Sequence, residues 1–171
     1  FDSNYKNSFK DYLKKGIELE MINPELQTFD IDKLMAAIEP SRDKLFMYLG
    51  IQIVIDRYLL SDRSSKKVIY ELPQWFWMRV AMGLALKEPH NKEEHAISFY
   101  NTLSKFELIS STPTLFNSGT PHSQMSSCYL NVSFDSLDSI FKLYSDNAQL
   151  SKWAGGIGTD WTYVRATGSK I

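Results

Sequence analysis

From Trp75 to Leu86 the chain reads WFWMRVAMGLAL, apolar on nearly every side of a helix. Pro73 stands just ahead of it, where a first helical turn accepts a residue with fixed φ and no N–H. A helix without a polar face cannot lie on a surface, so other elements must wrap it. The flanking sequence supplies them. Tyr5, Phe9, Tyr12 and Leu13 recur at helical spacing from about Asn4 to Leu19, with the charges of YKNSFKDYLKK forming a solvated face. Leu34, Ala37 and Ile38 mark a shorter helix ended by Pro40. Ser41 is placed to cap a further helix through Phe46, Leu49, Ile53 and Val54, and another covers about Lys92 to Phe106. RYLL and KVIYE, separated by the polar SDRSSKK, read as a small β-hairpin near 57–71. The aromatic run Trp75 to Trp77 is core packing.

After Ser110 the texture changes. SSTPTLFNSGTPHSQ holds two prolines and a glycine and predicts a long loop, kept ordered by Leu115 and Phe116 against a core. A strand (Gln124 to Val132), a helix starting near Asp135 and a second strand (Thr159 to Val164) follow, which make a βαβ unit. Asp135 or Ser133 supplies the N-cap of that helix. Its apolar face is Leu137, Ile140, Phe141, Tyr144 and Ala148, and Gly155-Gly156 ends it as a C-cap.

Composition narrows the functional classes. A chain of 171 residues, 43% hydrophobic and 23% charged, suits one ordinary globular core. Nineteen basic and twenty acidic residues leave a net charge of -1 with no basic stripe, so the pattern predicts no nucleic-acid partner. There is no apolar run of transmembrane length and no signal peptide, which predicts no membrane association. One cysteine forms no internal disulfide, and with three histidines it offers no metal-ligand spacing. A reducing cytoplasm is the expected location. The start at Phe1 and the stop after ATGSK suggest a piece of a longer polypeptide.

Cys128, within SSCYLNV, is the pivotal residue. A lone cysteine in an apolar strand is commonly a small buried hydrophobe. Here Ser126, Ser127 and the preceding Thr/Ser-rich loop gather hydroxyls and N–H groups at the same strand end, which suits a chemically active thiol. Both readings stand at this level. A cysteine–histidine dyad with His122 has no further support. AGGIG lacks the lysine of a phosphate loop and the spacing of a dinucleotide fingerprint. It reads as a helix stop, or as small residues that let a ligand approach the backbone.

Taken in order, ELPQWFWMRVAMGLAL, STPTLFNSGT, SSCYL, DSLDSI, AGGIG and VRATGS resemble the large, catalytic (α) subunit of ribonucleotide reductase, class I in type. The resemblance spans essentially the whole chain and is weakest over the first forty residues. It implies a mainly α fold with a small β component: a helical N-terminal domain over 1–110, then over 111–171 the first βαβ unit of a ten-stranded α/β barrel. The family's regulatory ATP-cone has no counterpart here. The implied activity is reduction of ribonucleotides to deoxyribonucleotides by radical chemistry for DNA precursor synthesis.

By the same resemblance Cys128 matches the first of two redox cysteines that reduce the ribose and become a disulfide. Ser127 matches a residue that hydrogen-bonds the ribose, Thr112 one in the loop that meets substrate, and Gly155 and Gly156 the backbone lying against it. Asp135 matches the effector-ribose position of an allosteric specificity site, with dNTP or ATP as effectors, and Arg165 a position near the effector phosphates. Helix 136–153 matches a helix that pairs across an α-subunit homodimer. The implied partners are the remainder of the catalytic subunit, a radical-generating small subunit that contains the metal, and thioredoxin or glutaredoxin as reductant; no cofactor is expected on this chain. The family's thiyl-radical cysteine, its second redox cysteine and its reducing tail lie beyond Ile171. An alternative reading is a non-catalytic helical nucleotide-binding or dimerisation module.

Overall fold

Pro73 opens the helix around which the first half of the chain is built. The computed structural model describes residues 2–61, 68–153 and 155–170, and these divide into two compact units, 1–125 and 126–171. The first unit contains α1 (Asp2–Glu18), α2 (Ile31–Ala37), α3 (Tyr48–Ile53), α4 (Pro73–Ala85), α5 (Lys92–Ser104) and α6 (Thr112–Asn117). The second contains β1 (Cys128–Phe134), α7 (Leu137–Lys152) and β2 (Gly156–Tyr163). The expected fold, mainly α with one small βαβ unit, is therefore present.

As its composition requires, α4 is buried all round, from Gln74 to Met82. Tyr12 of α1 stacks on Trp75 at 5.0 Å, and Tyr5 meets the same indole edge-on at 5.6 Å. Polar groups in this core are matched rather than excluded, because an unpaired buried donor or acceptor costs about 1–3 kcal/mol. The Tyr5 hydroxyl donates to Asp43 and accepts the Gln74 N–H, while the Gln74 amide donates to Asp43 and accepts the Tyr100 hydroxyl. Gly83 serves close approach: a Cβ there would lie 2.1 Å from the Gly119 nitrogen, so the 118–119 turn sits directly on α4.

Several local expectations need correction. Ser41 caps nothing; it lies within a 3-10 turn, Pro40–Leu45, whose N-cap is Glu39. Arg42 reaches Asn101 and Ser104 on α5, and Asp43 is held by Tyr5 and Gln74. With that turn fixed, Phe46 and Met47 are extended, and α3 starts afresh before running into a π turn over Val54–Tyr58. Among the described residues, the hairpin near 57–71 shows one antiparallel bridge, between Ser61 and Ile69, with the Tyr70 N–H bonded to the Leu60 carbonyl. Arg57 and Tyr58 are helical, and the Leu60 N–H goes to the Glu71 carboxylate rather than to a strand partner; residues 62–67 of the expected turn lie outside the described residues. The long loop after Ser110 contains α6, with Leu115 buried and Phe116 exposed. The stretch 111–125 lies in the first unit.

In the second unit β1 and β2 are parallel, as the βαβ reading predicts, with Cys128 opposite Gly156 and Asn131 opposite Thr159. The first strand begins at Cys128, not Gln124, and the second runs over Gly156–Tyr163, not Thr159 to Val164. Ser136, not Asp135 or Ser133, caps α7, its side chain accepting the Ser139 N–H. The C-cap is Trp153; Gly155 still takes part in the helix stop, its N–H bonding to the Leu150 carbonyl at 3.2 Å, while Gly156 already begins β2. Most of the expected apolar face is turned outward: Leu137, Phe141, Tyr144 and Ala148 are exposed, whereas Ile140 is half-buried and Leu143 is the buried position. Side chains along β1 alternate, so Tyr129, Asn131 and Ser133 are more covered than Cys128, Leu130 and Phe134.

Candidate functional site

The second unit gathers four of the residues singled out in the sequence. Cys128 begins β1 with its thiol exposed rather than packed into a core. Ser127 precedes it, and its carbonyl accepts the Gly156 N–H at 2.9 Å, which clamps the two strand starts together. A Cβ on Gly156 would lie 3.5 Å from the Cys128 sulfur, so the bare backbone of Gly156 borders the thiol directly. Gly155 is needed for space: a Cβ there would stand 2.5 Å from the Tyr129 ring. The arrangement places a reactive-type side chain, a hydroxyl-bearing neighbour and an unobstructed backbone at one end of a sheet.

Asp135 and Arg165 form a second pairing in this unit. The Arg165 Nε donates to Asp135 at 2.6 Å, and its Nη1 donates to the Lys170 carbonyl at 2.7 Å. Both side chains remain more than a third exposed, so solvent screening leaves the pair worth at most about 1 kcal/mol. A carboxylate beside a guanidinium is suited to hold a hydroxylated, phosphorylated ligand, since the two ends present opposite charges.

Thr112 belongs to the first unit, at the start of α6, where its hydroxyl is 3.2 Å from that of Tyr58. It borders a cavity of about 790 Å³ walled mainly by apolar side chains such as Phe46, Trp77, Phe106 and Leu115. Among the described residues no charged side chain lines that cavity, and its polar lining is hydroxyl-bearing, as at Tyr58, Ser110 and Ser111.

Two polar clusters escaped the sequence reading. In the second unit the Asn131 amide donates to Asn147, Asn147 donates to Thr159, and the Thr159 hydroxyl donates to Asn131, a ring that ties both strands to α7. The signal was present in Asn131, which alternates with Tyr129 and Ser133. On α7 the apolar pattern puts Ala148 inside, whereas the structure turns Asn147 inward and leaves Ala148 exposed. In the first unit Glu71 and Arg79 form an ion pair with both side chains fully buried, joined by the Tyr12 hydroxyl. Burial pushes the Tyr12 hydroxyl well above its ordinary pKa, and the neighbouring carboxylate adds to that. Among the described residues no group of three His, Cys, Asp or Glu side chains could hold a metal ion, and no helix is long and apolar enough to cross a membrane.

Comparison with known proteins agrees with this division into units. A family model described as ribonucleotide reductase, all-alpha domain, matches residues 44–123, and one described as ribonucleotide reductase, barrel domain, matches residues 126–171. The chain is 55% identical over 168 residues to the ribonucleoside-diphosphate reductase subunit alpha of Chlamydia muridarum, covering 98% of this chain and 16% of that protein. It is 45% identical over 166 residues to the subunit alpha of Helicobacter pylori, covering 97% of this chain and 20% of the relative. The large subunit of the Variola virus enzyme is 36% identical over 170 residues, again with 20% of its length covered. With two models of one family covering most of its length and these relatives matching nearly all of it, the chain belongs to the ribonucleotide reductase large-subunit family.

Proposed function

We propose that this chain is part of the catalytic subunit of a ribonucleoside-diphosphate reductase, making deoxyribonucleotides for DNA synthesis, and that Cys128 is one of its two redox thiols. The observation that carries the reading is the exposed Cys128 thiol bordered by the bare backbone of Gly156 and preceded by Ser127. In the reaction, ribonucleotide and a dithiol give deoxyribonucleotide, a disulfide and water. The C2′–O bond breaks as the 2′-hydroxyl takes one thiol proton and leaves as water, and the second thiol proton with the electron pair released as the two sulfurs join forms the new C2′–H bond. A separate metal-containing subunit supplies the radical that starts the cycle. Cys128 gives a proton and half of the electron pair, Ser127 hydrogen-bonds the ribose, Gly155 and Gly156 let the ribose lie against the backbone, and Thr112 belongs to the loop that meets substrate.

A disulfide needs a second cysteine, and Cys128 is the single cysteine of this sequence, so the partner thiol belongs to the remainder of the subunit. Thioredoxin or glutaredoxin restores the dithiol, in the cytoplasm, where such thiols are kept reduced. Asp135 and Arg165 hold a dNTP or ATP effector at an allosteric specificity site. The exposed side chains of α7, Leu137, Phe141 and Tyr144, are an apolar surface suited to pairing with the same helix of a second α subunit.

The test is one turnover by the complete enzyme without external reductant. Peptide mapping should find Cys128 disulfide-linked, a bond that brings the two Cα atoms within about 7 Å. Cys128→Ser should abolish reduction while leaving fold and nucleotide binding intact. If the thiol remains alkylatable after turnover, the assignment fails.

A further inference from the structure

The helix α6 is six residues long, too short to hold its own shape without outside support. One buried ion pair holds its C-terminal end directly and, at Leu60, anchors the segment whose Tyr58 meets its N-terminal end. At the C-terminal end the Arg79 Nη1 donates to the Ser118 carbonyl at 2.6 Å, and the Ser118 hydroxyl donates to the Val80 carbonyl at 2.7 Å. Gly119, at φ 75°, is pressed against the same arginine: a Cβ there would fall 2.6 Å from the Arg79 carbonyl oxygen. At the N-terminal end Thr112 meets the Tyr58 hydroxyl, and two residues later the Leu60 N–H donates to Glu71 Oε2 at 3.0 Å. Arg79 grips Glu71 through Nε at 2.7 Å and Nη2 at 3.2 Å.

A fully buried ion pair adds little stability over an apolar replacement, because desolvation offsets the attraction. What it supplies is direction, and here the directions converge on the two ends of one short segment. We propose that Glu71 and Arg79, acting through Ser118 and Tyr58, are positioning residues that set where Thr112 presents its hydroxyl to the ribonucleotide. This rests on the reading above that Thr112 meets substrate. Neither residue of the pair touches substrate; each acts through Thr112.

The experiment is a double-mutant cycle in the complete catalytic subunit, assayed with its small subunit and a ribonucleoside diphosphate. Thr112→Ala should raise KM about tenfold, the loss of roughly one hydrogen bond. Arg79→Lys keeps the charge but not the forked geometry, and should raise KM by a similar factor with kcat within about twofold. The double variant should bind no more than about twofold worse than the poorer single one, because both changes remove one contact. Additive KM effects, or an unchanged KM in folded Arg79→Lys, overturn the proposal and leave the role of Thr112 standing. An unchanged KM in Thr112→Ala removes that role and the proposal with it. Should Arg79→Lys fail to fold, Tyr58→Phe decides through the same cycle: it removes a single hydroxyl, and an unchanged or additive KM there equally overturns the proposal.

Discussion

Gly156→Ala separates the two things a glycine can do beside Cys128. The added methyl would lie 3.5 Å from the Cys128 sulfur and 3.5 Å from the Ser127 carbonyl oxygen, ordinary contact distances that require nothing to move. The glycines of the described residues with left-handed backbone are Gly119 and Gly168, so alanine at 156 meets no backbone strain. Replacing a strand glycine then removes backbone freedom from the unfolded chain and stabilises by about 0.5–1 kcal/mol. Thermal unfolding should therefore be unchanged or shift up by at most about 1–4 °C. Activity should move the other way. If the ribose lies against this backbone, the methyl occupies its place, and overpacking of about 1–3 kcal/mol corresponds to a roughly 5- to 150-fold fall in kcat/KM. Gly155→Ala is the contrasting control: its methyl would fall 2.5 Å from the Tyr129 ring, so it should lose about 1–3 kcal/mol of stability as well. Steady-state kinetics of the complete enzyme alongside thermal melts of each variant give both readings. Unaltered kcat/KM in Gly156→Ala, or a melting point lowered as far as that of Gly155→Ala, would refute the reasoning.

Other predictions follow from the same geometry. Arg165→Ala should weaken effector binding about tenfold or more, measured by equilibrium dialysis, while basal reduction stays measurable and stability changes by at most about 1 kcal/mol because the Asp135 pair is exposed. Phe141→Glu, at a position 66% exposed, should leave the melting point nearly unchanged yet shift the complete α subunit from dimer to monomer in sedimentation. Burial pushes the Asp43 carboxyl above its ordinary pKa, with its hydrogen bonds from Gln74 and Tyr5 opposing the shift. Its stabilising contribution is then full below the ordinary carboxylate pKa and is lost as pH rises through the raised value. Asp43→Asn should flatten the difference in melting point between about pH 4 and pH 7 at that site, and an unchanged pH profile would count against it.

Some features of this protein were fixed by local sequence. The burial of α4 followed from an apolar residue on every side of a helix opened by Pro73, since no placement but an enclosed one hides such a surface. The βαβ unit followed from a strand, a capped helix and a second strand in succession, and the parallel pairing of Cys128 with Gly156 agrees with it. Tyr5, Phe9, Tyr12 and Leu13 were legible as a core stripe for the same reason, and all four are buried.

Tertiary structure decided what periodicity does not encode. The outward face of α7 carries Leu137, Phe141 and Tyr144, while Asn147 turns inward, because its amide completes a hydrogen-bonded ring with Asn131 and Thr159 that Ala148 could not make. Among the described residues the expected hairpin keeps the Ser61–Ile69 bridge and the bond from the Tyr70 N–H to the Leu60 carbonyl, while Glu71, turned inward to Arg79, takes the Leu60 N–H. Glu71 and Arg79 are eight residues apart, and Tyr12 lies 59 positions before Glu71. Nothing in their neighbourhoods announces a shared site. Such a pairing exists only once the chain has closed on itself, since removing both charges from water is tolerable only when each finds the other and its hydrogen-bond partners in place.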